Sequence, residues 1–135
     1  MPRALHHVAL GARDVDALAT FWSDLLDLEV ITRHLYEDGT LRSVWLDMSP
    51  AVLMIEHCAT SRSTRVDSNA GVDPGLFLLA FQVSEQEHHA LTARLESSGH
   101  PPLDRTTFTS YFQDPEGNRF AISHFDLDSA RSSRD

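Results

Sequence analysis

One order of elements occurs twice in this chain. "HHVALGA" is a short apolar strand, and Asp14 then stands as the cap of a helix. In that helix Val15, Leu18, Phe21, Trp22, Leu25 and Leu26 recur at helical spacing. Asp27 follows where the helix ends, as a residue that tolerates the left-handed conformation. Three strands come next, "LEVITRHLY", "LRSVWLDM" and "AVLMIEHC", separated by the turn residues of "EDGT" and "SP". The second half repeats the scheme. "LFLLAFQV" is a strand, and Ser84-x-x-Glu87 is a capping box opening a helix that runs to Gly99. "LDRTTFTS", "YFQD" and "NRFAISHF" supply the remaining strands. Two strand–helix–strand–strand–strand units define an α+β chain, because a repeat of this kind is one supersecondary unit used twice.

The boundaries follow from composition. Module one spans 5–58 and module two 76–126. Between them, 59–75 is a linker rich in Ser, Thr, Gly and Asp, and the polar tail 127–135 is expected to be disordered. The whole is one domain by length. Twenty acidic residues against eleven basic ones, all of them Arg, leave a formal charge of −9. Nucleic acid and anionic membranes both call for a basic footprint, so neither is expected as a partner. The single cysteine, Cys58, excludes an intrachain disulfide and any paired-cysteine motif. No apolar run approaches the roughly 18 residues of a membrane span, and a cytoplasmic location is expected.

"DPEGN", residues 114–118, is a turn: Pro115 presets φ, and Gly117 and Asn118 tolerate positive φ. In register with "HHVAL", "FWSDLLDLEV" and "LLAFQV", the segment "DPEGNRF" makes residues 5–126 resemble the vicinal oxygen chelate superfamily. That group includes glyoxalase I, bleomycin-resistance proteins and extradiol dioxygenases. The resemblance implies two βαβββ modules curled into an incompletely closed mixed β-barrel around a cavity, with the helices outside. It also implies a divalent metal held at four strand positions, which fall here on His7, Glu56, Leu78 and Ala121.

Two of those four have no donor atom. A catalytic divalent site ordinarily takes three or more protein ligands, so no metal and no other cofactor is expected, with His7 and Glu56 as residual candidates. Strand alternation turns His124 away from Ala121 and His57 away from Glu56. His34, His88, His89 and His100 read as surface residues. The same alternation points His7, Ala9, Val52, Met54, Glu56, Leu78, Ala80, Gln82, Arg119, Ala121 and Ser123 to one side, a mostly apolar lining typical of a small-molecule site. Met54, Leu78, Ala80 and Ala121 form its wall, with His7 and Glu56 as its polar end. Trp22, Trp45, Tyr36, Tyr111 and Phe108 are the aromatic residues from which a lining could be drawn. Arg62 and Arg65 in the linker are available to an anion. The function expected is metal-independent binding of a largely apolar small molecule, in a homodimer as the family favours. The alternative is a lyase, isomerase or dioxygenase-type enzyme in which His7 and Glu56, hydrogen-bonded to one another, act as acid and base or share an altered metal shell.

Overall fold

The computed structural model describes residues 3–59 and 74–133. The chain divides into two compact units, Met1–Thr64 and Arg65–Asp135, and each builds its own four-stranded sheet. In the first, β1 (His7–Ala12), α1 (Val15–Leu26), β2 (Val30–Leu35), β3 (Leu41–Met48) and β4 (Ala51–His57) follow in that order. The spatial order is β1-β4-β3-β2, with β1 parallel to β4 and the other pairs antiparallel. A strand can pair in parallel with a later one only if the chain crosses back, and α1 and the hairpins provide that return.

Local chemistry fixes α1 at both ends. The Asp14 carboxylate accepts the Ala17 N–H at 3.0 Å, and Asp27 takes the left-handed conformation at φ 55°. Along the helix Val15, Leu18, Ala19, Trp22 and Leu25 are buried. Leu10, Ala12, Val44, Leu46, Leu53 and Ile55, all buried, alternate along β1, β3 and β4 and present one apolar face to that stripe. This is the core of the first unit. Among the described residues α1 is the first unit's one helix, so the opposite face of its sheet carries no helix of this unit.

The second unit repeats the plan with β5 (Leu79–Gln82), α2 (Glu85–Ser97), β6 (Asp104–Arg105), β7 (Thr109–Gln113) and β8 (Arg119–Ser123), in the order β5-β8-β7-β6. The two βαβββ modules thus form two mixed sheets, neither closed on itself. Ser84 and Glu87 make the expected capping box, and Gly99 takes φ 89° just past the helix end. Phe112, Phe120, Ile122 and Leu95 fill the core of this unit.

The turn between β7 and β8 is held by Asp114, 4% exposed. Its carboxylate accepts the backbone N–H groups of Glu116 and Asn118 and the Asn118 side-chain amide, each at 2.9 Å. Only Gly117 uses positive φ there, at 86°; Asn118 does not. Strand formation in "LDRTTFTS" is limited to the two-residue β6 and the start of β7. The tail also differs from expectation: Leu127–Ser132 is a short helix, α3, capped by Asp126, with none of its residues buried. Its Asp126 and Ser129 supply a local cap bond at 3.0 Å that a polar composition alone does not reveal.

Candidate ligand-binding face

The helix-free face of the first sheet can be built up row by row, because paired residues on neighbouring strands point to the same side. Asp47, Val52 and His7 form one row. Thr32, Trp45, Met54 and Ala9 form the next, and His34, Ser43, Glu56 and Gly11 the third. Met54 is buried and supplies an apolar floor. Beside it the His34 and Trp45 rings meet edge to face at 4.9 Å between centroids.

The third row has an unusual property. His34 Nε2, Ser43 Oγ and Glu56 Oε2 are all shielded from solvent and have no hydrogen-bond partner among the described residues. Trp45 Nε1, one row away, is in the same condition. Ser43 as a whole is 1% exposed. Buried polar atoms are nearly always paired, since each one left unpaired costs about 1–3 kcal/mol. Here four such atoms, an indole N–H donor among them, converge on a patch floored by Met54.

The corresponding face of the second sheet is different. Ala80 pairs with Ala121, and Ala121 with Tyr111. Ala121 is fully buried and Leu78 half-buried just before β5, while Ala80 is exposed. The hydroxyls of Thr109 and Ser123 satisfy one another at 2.8 Å, and the Arg119 guanidinium lies 5.1 Å from the Phe77 ring centroid.

Register also decides the relation of His7 to Glu56. His7 is level with Val52 and Glu56 with Gly11, so four residues separate them along the strand direction. At about 3.3 Å per residue that is roughly 13 Å. The expected direct hydrogen bond is not made; His7 Nδ1 instead lies 2.9 Å from His6 Nδ1. The family's metal positions therefore do not fit a metal in this chain. Leu78 and Ala121 have no donor atoms, and His7 and Glu56 stand apart. Among the described residues no group of three His, Cys, Asp or Glu side chains converges as a metal site would require.

Three of the four histidines read as surface residues are not fully exposed, His100 being half-buried. His34 is half-buried with Nε2 shielded, and His88 is 8% exposed. His88 pairs with His124 at 2.7 Å between Nδ1 atoms and with Ser110 Oγ at 2.7 Å from Nε2. His124 does face away from Ala121, as alternation requires. Cys58 is half-buried beyond the end of β4, its N–H donating to Ala12 at 2.9 Å. Arg62 and Arg65 lie outside the described residues. Ser43 carried no signal in the one-dimensional pattern. It becomes visible only when β3 is set against Glu56 on β4.

Comparison with known structures agrees with this architecture. The chain is similar to the genomically encoded fosfomycin resistance protein FosX of Listeria monocytogenes, at 19% identity and TM-score 0.75, over 99% of this chain and 100% of that one. A mutant form of FosX, complexed with Mn(II) and 1S,2S-dihydroxypropylphosphonic acid, matches at 18% identity and TM-score 0.74, over 97% and 99%. A lactoylglutathione lyase from Agrobacterium tumefaciens is similar at 21% identity and TM-score 0.60, over 90% and 93%. Comparison with curated proteins by sequence gives no match. The profile of one family covers residues 4–122, and the chain belongs to it: the Glyoxalase/Bleomycin resistance protein/Dioxygenase superfamily.

Proposed function

We propose that this chain is a small-molecule-binding protein of its superfamily that takes a largely apolar ligand without the metal. The observation that carries the reading is the row His34–Ser43–Glu56, with Trp45 beside it, of buried polar atoms lacking partners among the described residues. A ligand with an apolar body seats on Met54 and Trp45. Its hydrogen-bonding group then meets the row, a hydroxyl or amine donating to Glu56 Oε2 and an acceptor receiving the Trp45 indole N–H. Such convergence of a few polar groups on an apolar floor is the usual make-up of a small-molecule site.

The enzymatic alternative, with His7 and Glu56 as an acid–base pair, loses its support because the two are four residues apart on the parallel register. Metal chemistry of the kind implied by the Mn(II) complex of FosX lacks donors here at Leu78 and Ala121. Two sides of the predicted wall, Met54 and Ala121, belong to separate sheets, and the reading rests on the Met54 side.

The test is calorimetry with chelator present, comparing hydroxy- and amino-substituted arenes with the unsubstituted rings. Glu56→Gln should weaken the donor-bearing compounds about tenfold or more, the worth of a hydrogen bond to a charged group, and leave the unsubstituted rings alone. Equal affinities of parent and variant for every compound would overturn the proposal.

A further inference from the structure

A concavity of about 360 Å³ lies on the helix side of the second sheet, between α2 and the strands β6 and β7. Thr92 from the helix, Arg105 and Thr106 from the strand side, and the linked trio His88, Ser110 and His124 line it. The trio is a chain of two contacts. Ser110 Oγ is 2.7 Å from His88 Nε2, and His88 Nδ1 is 2.7 Å from His124 Nδ1. Only one proton can sit between two ring nitrogens at that separation, so one imidazole donates and the other accepts. A further proton settles on a ring nitrogen outside that contact, such as His88 Nε2, which then donates to Ser110 Oγ. The cost is a positive charge in a partly buried place, which negative charge alongside would offset.

Two further observations point to a ligand. The Thr92 hydroxyl is buried and has no partner among the described residues. Among those residues the Arg105 guanidinium is tied only to Glu96, at 3.8 Å, with both side chains more than half exposed; a pair so exposed holds its guanidinium weakly. We propose that this groove binds a small oxyanion, a carboxylate or a tetrahedral phosphate-like group, and takes up a proton with it. Arg105 and the hydroxyls of Thr92 and Thr106 supply donors, and the imidazole pair supplies charge once protonated.

The charges around His88 give the sign. His89 and Glu85 on its own helix, Glu96 two turns along it, Arg105 from β6 and His124 from beyond β8 are the titratable and charged groups facing it. With the imidazoles neutral, Arg105 and Glu96 cancel and the groove attracts an anion weakly. Burial and the neighbouring His124, His89 and Arg105 hold His88 below its ordinary value, against an opposing effect of Glu85. Proton uptake is thus unfavourable alone and becomes favourable with an anion present, which is linkage in its simplest form.

Sulfate is the probe, because it stays fully ionised across the histidine range, and acetate is the carboxylate arm. Calorimetry and imidazole NMR should show sulfate or acetate binding near about pH 6 and weakening roughly tenfold per pH unit above the imidazole range, as uptake of one proton requires. The arm that binds more tightly identifies the tetrahedral or the planar anion. Arg105→Gln should cost severalfold in affinity. Thr92→Val keeps the side-chain shape and should cost severalfold too, with thermal stability of the free protein unchanged or raised. Absence of binding by both anions at about pH 6, an affinity flat with pH, or parental affinity in both variants would overturn the proposal.

Discussion

Ser43→Ala is expected to stabilise the ligand-free protein, an unusual direction for a substitution at a site 1% exposed. Its Oγ is buried without a partner among the described residues, so the folded state gives up hydration of that hydroxyl and gains no bond in return. Desolvation of such a group costs about 1–3 kcal/mol, while deletion of one oxygen leaves a void much smaller than a methylene. A net gain of about 1 kcal/mol follows. For a chain of 135 residues that corresponds to roughly 3–5 °C in Tm. Urea unfolding should give a higher midpoint at an unchanged slope, since neither end state changes its exposed area. The neighbouring His34 and Glu56 belong to the same row, so the gain should survive in a Glu56→Gln background only if the three groups are independent. A loss of about 0.5 kcal/mol or more would refute the reasoning, because it would mean that the hydroxyl is paired in solution. The same variant should bind polar-headed ligands less well, separating a stability gain from a functional loss.

Other expectations follow from the same geometry. After dialysis against excess Zn²⁺, Ni²⁺, Mn²⁺ or Fe²⁺ the protein should retain well under one equivalent of metal; a stoichiometric ion lost in His7→Ala would contradict the donor count, and Leu78→His with Ala121→Glu together should raise retention. Stability should be level above pH 6.5 and fall as pH drops below it, because the unfolded His88 imidazole titrates at its ordinary 6.5 while the folded one is held lower by burial first and by His124, His89 and Arg105 after it. Sign and site are both checked by NMR titration, and a His88 pKa above its ordinary value would reverse the prediction. Asp114→Ala orphans three donors that its buried carboxylate now accepts, and should cost about 3 kcal/mol by chemical denaturation; a loss under about 1 kcal/mol would show that water replaces the carboxylate at no penalty.

Features governed by near neighbours in the chain were legible in the sequence. The Asp14 and Ser84 caps, the left-handed Asp27, the apolar stripe of α1 and the 114–118 turn each depend on residues within four positions of one another. Face assignment within β1, β4, β5 and β8 was also legible, since alternation needs only a strand and a starting parity. Quantities set by pairing between distant strands were not. The separation of His7 from Glu56 is fixed by the parallel register of β1 on β4, which no local pattern encodes. His34 was obscured for a second reason: β2 shifts register between Val30 and Thr32 and again between His34 and Leu35. Parity counted through such irregularities gives the wrong side as often as the right one. His88 sits on a helix with only one other buried residue, Leu95. A polar helix gives little hint of which side chain turns inward, and burial of this one depends on Ser110 and His124, which lie 22 and 36 residues away.

The contrast between the two sheets bears most directly on what this chain does. Both modules present a helix-free face, and on the second the hydroxyls of Thr109 and Ser123 are mutually bonded around an alanine that is fully buried. If the first face had no occupant, internal pairing of the kind made by Thr109 and Ser123 would be expected there too, because unpaired buried groups are costly and single substitutions remove them. Ser43 could be alanine and Glu56 an aliphatic residue without disturbing the apolar side of the sheet, which Val44 and Ile55 supply. Four unpaired atoms at about 1–3 kcal/mol each approach the 5–15 kcal/mol that holds an ordinary domain folded. A cost of that size concentrated on two adjacent rows is the expected signature of a surface whose hydrogen bonds are completed by something outside the chain. On the proposed reading, the absence of donor atoms at Leu78 and Ala121 leaves recognition to residues of β2, β3 and β4, where a ligand's own polar group would take the part of the missing partner.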